Sequence, residues 1–333
     1  MTNFRPLHLL FGAITMKTTI RFFPPWSGGL ALSLWLLPVS WLFAADTEFT
    51  LETARAAADK GDPQAEFYLA RHYADGMGVP RDYARAVARL REAAGQGYAP
   101  AQTGLGSCYA HGQGVKQDYA EAVRWYRKAA AQGDSLAEYC LGYACAYGKG
   151  APTNFDAAVQ WWQKSAAQGQ VYAQNALGQF YLHGESPGDT NHINYTEAAK
   201  WLRRAAEQDY APAMSTLGSM YQYGIGTGHD WPQALQWNRR AAGQGDATAQ
   251  DNLGQMYENG NAGLPRDLVQ AYKWFWLSEQ QGNPGGRHDV IEFELHHVLT
   301  PEQIAEAKHL AAQFQARMHT HGPSSSAEPQ SRN

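Results

Sequence analysis

Histidine, cysteine and carboxylate side chains are where a chain would first do chemistry, and this one carries 12 His, 3 Cys and 31 Asp plus Glu among 333 residues. The densest grouping is His288, His296 and His297 beside Glu292 and Glu294. It lacks the His-Glu-x-x-His spacing that sets two imidazoles on one helix face with a general base between them. Adjacent His296 and His297 point about 100° apart on a helix, so one ion cannot readily use both. No metal and no cofactor are therefore expected. Cys108, Cys140 and Cys145 are too few for a disulfide framework. Cys140 and Cys145 lie roughly 140° apart around a helix and should not pair. A Cys108–Cys140 bridge is conceivable in an oxidising compartment, with buried thiols as the favoured alternative. No Ser-x-x-Lys, phosphate-binding Gly loop or Gly-x-Ser-x-Gly elbow falls in its required setting, so no catalytic residue is assigned. The Gly76-Met-Gly78, Gly112-Gln-Gly114 and Gly148-Lys-Gly150 loops recur in register, which argues for turns and against one nucleotide site.

The elements that would position any site are set by a repeat. Ala101-Gln-Thr-Gly-Leu-Gly-Ser-Cys-Tyr109 returns from Ala137, Ala173, Ala213 and Ala249, and a variant starts at Ala65. The spacing is 36 residues except between Ala173 and Ala213, where an insertion near Gly184 to Ile193 lengthens it to 40. With the leading Ala as position 0, apolar or small residues at 0, 4, 7, 8 and 11 form one helical stripe. A Gly at position 5 (Gly106, Gly142, Gly178, Gly218, Gly254) costs about 1 kcal/mol of helix propensity, so its recurrence predicts a close neighbour. A second helix starts near Asp82, Asp118, Asp156, Asp230 or Asp267, each suited to N-capping, and carries Ala-x-x-Trp at Trp125, Trp161, Trp201, Trp237 and Trp274. These rings are expected to be the large knobs, seated against glycine and alanine of the next hairpin. That reading accounts for 33 Gly alongside 11 Trp and 18 Tyr, because one hairpin cannot bury its stripe alone and must stack.

The combined pattern, Ala-x-x-x-Leu-Gly-x-x-Tyr followed by Gly-x-Gly-Val, Asp, Ala-x-x-Trp and Ala-Ala-x-x-Gly, resembles the Sel1-like repeat family, related in architecture to tetratricopeptide repeats. The resemblance runs from about Ala54 to Gly282, with departures at Ala70, Arg89, Cys145 and Asp209. It implies an all-α, right-handed superhelical solenoid of antiparallel helix pairs whose first helices line a concave side. On those helices the face opposite the stripe holds positions 2, 6 and 9. Positions 2 and 6 read Phe67 and Arg71, Thr103 and Ser107, Tyr139 and Tyr143, Asn175 and Gln179, Ser215 and Ser219, and Asp251 and Gln255. This largely neutral strip of hydroxyls, amides and rings is the expected partner-binding surface. The family's cysteine-rich branch, for which weak β-lactam hydrolysis has been proposed, has regular Cys pairs that this chain lacks.

Five segments are expected. Residues 1–45 read as a secretory signal peptide, with Lys17 and Arg21 before the apolar Leu30 to Leu37 and small residues at Ala44 and Ala45. Met16 is the better start for it, and an uncleaved anchor is the alternative. Residues 46–60 form a leading half-repeat, 61–282 six repeats, 283–320 capping helices opened by the capping box Thr300-Pro-Glu-Gln303, and 321–333 a disordered tail. Net charge is −4, which leaves no basic excess for nucleic acid. The expectation is an exported, periplasmic or extracellular, non-catalytic scaffold for a protein or peptide, without a stable membrane span after cleavage. A cell-wall glycan is the alternative ligand, and weak β-lactam hydrolysis the less favoured activity.

Overall fold

The computed structural model of the protein describes residues 50–184 and 191–321. The expected signal peptide, the tail beyond residue 321 and most of the insertion between Gly184 and Ile193 lie outside the described residues. Fifteen helices occupy the rest: α1 (Leu51–Ala58), α2 (Pro63–Asp75), α3 (Tyr83–Gly95), α4 (Ala99–His111), α5 (Tyr119–Ala130), α6 (Ser135–Tyr147), α7 (Phe155–Ala167), α8 (Val171–His183), α9 (Tyr195–Glu207), α10 (Ala211–Tyr223), α11 (Trp231–Gly243), α12 (Ala247–Asn259), α13 (Leu268–Gln280), α14 (Pro284–Leu295) and α15 (Pro301–His321). From α2 to α13 they pack as six consecutive antiparallel hairpins, each also touching the next. This is the all-helical solenoid that the period requires.

Local chemistry fixes where each helix begins and ends. Asp82, Asp118, Asp230 and Asp267 accept hydrogen bonds from backbone N–H groups of their first turns at 2.9–3.0 Å. In the third hairpin the cap is Asn154, not Asp156, and in the fourth it is Asn194. Asp156 sits in the first turn of α7, where a carboxylate still favours the helix dipole. Asp209 replaces the glycine that closes the other second helices and holds φ at +60°. Its carboxylate meets Arg240 at 2.6 Å.

The knobs differ from expectation. Glycine at position 5 receives the residue after the tryptophan, and it does so within its own hairpin. A Cβ on Gly106 would stand 2.7 Å from the Tyr126 ring, and one on Gly218 would stand 2.6 Å from Asn238. Gly142, Gly178 and Gly254 face Trp162, Leu202 and Phe275 in the same way. The reason is angular: residue 126 lies one turn from Ala122 on the face toward the first helix, whereas Trp125 is rotated about 100° from its neighbour. Trp125 instead packs, half-buried, on a cluster that includes Val87 and Leu90 of the preceding hairpin. Trp161 and Trp201 are likewise half-buried, while Trp237 and Trp274 are buried. Cations cover their rings, with Lys128 at 4.0 Å from Trp125, Arg204 at 4.6 Å from Trp201 and Lys273 at 4.2 Å from Trp274. At the far end α14 and α15 pack on α13, with Phe314 edge-on to Trp274 and Phe293 against Phe275.

Candidate functional site

The twelve strip residues divide into two sets. Those at position 2 are buried: Phe67, Thr103, Tyr139, Asn175, Ser215 and Asp251 are at most 7% exposed. They pack at the start of the following hairpin. Phe67 meets the Tyr98 ring at 5.5 Å, Thr103 donates to Asp134 at 3.1 Å, and Tyr139 meets Tyr172 at 5.8 Å. Asp134 caps α6 and Asp246 caps α12, where Ser215 supplies a side-chain hydrogen bond. Burial pushes the Tyr139 phenol well above its ordinary range. Position 2 is therefore a joint between hairpins, and its assignment to an open strip is corrected. The physical reason is that a first helix is flanked by hairpins on both sides as well as by its own partner helix, so the face opposite the apolar stripe is also packed.

Arg71, Ser107, Tyr143, Gln179, Ser219 and Gln255, at position 6, are all half-buried. One turn further, position 10 carries Asp75, His111, Tyr147, His183, Tyr223 and Asn259. At 100° per residue, positions 3, 6 and 10 share a face rotated by about 80° from positions 2 and 9. Tyr147 is 38% exposed and Tyr223 47%, the most open rings on the first helices. Tyr143 and Tyr147 stack with centroids 4.3 Å apart. Side chains cross between hairpins at positions 6 and 3: Gln179 donates to Thr216 at 3.1 Å, and Asn252 donates to Ser219 at 2.9 Å. His183 is held below the usual imidazole range by burial. Position 10 was missed in the sequence, although its i+4 relation to position 6 was the available signal.

Charge is distributed unevenly. Helices α4, α8 and α10 contain no Asp, Glu, Lys or Arg, and α6 contains Glu138 alone. Glu138 is fully buried and engaged by Lys164 at 2.6 Å and Gln168 at 2.7 Å, away from the open face. Equivalent amide clasps join Gln132 to Gln102, Gln208 to Gln174 and Gln281 to Gln250. The first hairpin departs from this pattern. Arg89 stands at the tryptophan position and pairs with buried Glu66 at 3.0 Å, beside an open cleft of about 370 Å³ lined by Tyr73, Arg85, Ala88, Arg89 and Glu92. Burial, with neighbouring Glu92, raises the Glu66 carboxyl to about 7.

The reactive residue types are occupied elsewhere. Cys108, Cys140 and Cys145 are free thiols, so the possible Cys108–Cys140 bridge is absent. Burial pushes the Cys108 and Cys140 thiols up to about 12, and Tyr126 bonds to Cys140. His296 reaches Glu292 at 3.1 Å on an exposed turn. No three His, Cys, Asp or Glu side chains gather around one point among the described residues, nor is any described helix long and apolar enough to cross a membrane.

Hairpins in fixed register, each second helix packed on the next first helix and the array capped at one end, define a helical-repeat scaffold. Comparison with known proteins gives the family. The Sel1 repeat model matches residues 63–98, 99–134, 135–170, 171–210, 211–246 and 247–283, and the chain belongs to the Sel1 repeat family. No curated protein sequence matches the chain. Among solved structures, c5321, a protective antigen of uropathogenic Escherichia coli strains displaying an SLR fold, is similar at 30% identity and a TM-score of 0.65. The match covers 83% of this chain and 60% of that one, so the chain spans less than two thirds of that antigen's length. A Sel1 repeat protein from Oxalobacter formigenes is 29% identical with a TM-score of 0.62, covering 70% of this chain and all of the other.

Proposed function

We propose that this Sel1-repeat scaffold is an exported, non-catalytic adaptor that binds a protein or peptide on the open face of its first helices. The observation that carries the reading is the run of stacked and exposed rings at positions 6 and 10, held in fixed register by hairpin-to-hairpin contacts. Aromatic side chains offer large contact area at low conformational cost, which suits them to partner recognition. The signal-like Lys17 to Ala45 segment supports an extracytoplasmic setting. A photo-crosslinking residue at Tyr143, compared with one at the outward-facing and highly exposed Arg124, tests this reading in the producing cell. Protein adducts from position 143 and none from 124 are expected. Adducts from 124 alone, or from neither, would refute it. The glycan alternative draws on the amide and hydroxyl groups of Gln179 and Ser219, and co-sedimentation with peptidoglycan separates it from the adaptor reading. A chromogenic β-lactam should not be turned over.

A further inference from the structure

The geometry points to an extended, uncharged, proline-rich peptide segment as the ligand of the wall formed by α4, α6, α8 and α10, with Tyr147 and Tyr223 as its principal contacts. This rests on the adaptor reading and narrows it to a ligand chemistry and a row of residues.

Two observations carry it. The first is charge. Those four helices present no ionised side chain to the open face, because the single carboxylate among them, Glu138, is buried and paired on the other side. A wall without cations offers nothing to a peptide carboxylate or an acidic segment, and one without anions offers nothing to a basic segment. A charged ligand would lose hydration there without a partner. The second is the rings. Tyr143 and Tyr147 stack as a pair, Tyr223 stands two hairpins further on, and His111 and His183 hold the same repeat position on α4 and α8. Flat, amphipathic rings on a rigid frame are the surface on which a polyproline II helix docks, since that helix is preformed and loses little entropy on binding.

The dimensions agree. From α6 to α10 is two steps between neighbouring first helices, roughly 20 Å at packed-helix spacing. A polyproline II segment rises about 3.1 Å per residue, so six or seven residues reach from one tyrosine to the other. Neutral sugars can use the same rings together with the Gln179 and Ser219 side chains, and the glycan arm of the titration separates them from the peptide.

The test is calorimetric titration of the full chain with blocked dodecapeptides of alternating Pro and Gln, Pro and Glu, or Pro and Lys, and with chitohexaose as a neutral glycan. The Pro–Gln probe should bind, with an affinity that changes less than about twofold between low and high salt because no ion pair forms. Tyr147→Ala combined with Tyr223→Ala should weaken it at least tenfold. Both are the most open rings of the wall, so the melting temperature should fall only by what the Tyr143–Tyr147 stack contributes. Gln179→Glu provides a second variant, and it should weaken Pro–Gln and admit Pro–Lys. The proposal is overturned if a charged probe binds more tightly to the unmodified chain, if the tyrosine pair is dispensable, or if chitohexaose binds and Pro–Gln does not. Failure of every probe while position 143 still crosslinks proteins would sink this ligand and leave the adaptor reading standing. Failure of both would sink the two together.

Discussion

Gly106 and Tyr126 give the sharpest test of how the hairpins lock. An ideal Cβ on Gly106 would lie 2.7 Å from Tyr126 Cε1 and 2.8 Å from Cδ1, while the Ala122 carbonyl at 3.2 Å asks only for a small shift. The ring cannot retreat easily, because Tyr126 is buried and its hydroxyl bonds to Ser107 and Cys140. Gly106→Ala should gain about 1 kcal/mol of helix propensity and lose roughly 1–3 kcal/mol to overpacking, for a net loss of up to about 2 kcal/mol. Tyr126→Ala alone should cost about 3–5 kcal/mol as a cavity opens. With the ring gone, Gly106→Ala should change sign and stabilise by about 0.5–1 kcal/mol. The assay is urea denaturation of the four proteins of the cycle, with amide exchange over α4 and α5 to place the effect in that hairpin. If Gly106→Ala destabilises equally with and without the Tyr126 ring, the glycine serves some other contact and the knob assignment is wrong.

Other consequences can be measured on the same material. Trp125→Ala should cost less than Tyr126→Ala, about 1–2 kcal/mol, since its indole is only half-buried; a larger loss in urea melts would restore tryptophan as the knob. Lys164→Ala should destabilise by about 1–3 kcal/mol by leaving buried Glu138 without its cation, and Glu138→Gln should remove most of that loss in the double variant, since other hairpins carry Gln there. Glu66, whose folded carboxyl titrates near 7 against about 4.5 unfolded, binds its proton more tightly in the folded chain. Its contribution is therefore greatest below pH 4.5 and is lost as pH rises through 7, so thermal stability should fall over that window and flatten in Glu66→Gln. At pH 8 the Cys108 and Cys140 thiols should resist iodoacetamide in the folded chain and react in urea, as mass spectrometry would show.

Much of this architecture was legible because the repeat multiplies weak signals. One Asp before an apolar pattern is a poor helix start, but four in register at Asp82, Asp118, Asp230 and Asp267 are not, and all four cap. Asn154 was passed over because Asp156 is the stronger residue for a helix dipole, whereas the cap position depends on backbone geometry that either side chain can serve. The open face was misread for a deeper reason. An ordinary surface helix has one buried stripe, and its opposite side meets water. A first helix in a stacked array is buried on three sides, so Gln102 and Thr103 are as inaccessible as Leu105, and polarity no longer reports exposure. What remains partly open is the narrow arc of positions 6 and 10.

That geometry also determines which substitutions the array can use to alter what it binds. A change at position 2 alters the joint to the next hairpin, as Thr103 with Asp134 and Tyr139 with Tyr172 show, and so is felt as stability before it is felt as recognition. A change at position 10 falls on Tyr147 or Tyr223, the most open rings of the first helices, and disturbs packing less than one at position 2. Alanine at Tyr139 should therefore lower the unfolding midpoint and weaken ligand only through loosened packing, while alanine at Tyr147 should weaken ligand and lower the midpoint less. Measuring both quantities on both variants separates the two rows, and a Tyr147→Ala chain that melts early but binds normally would reverse the assignment.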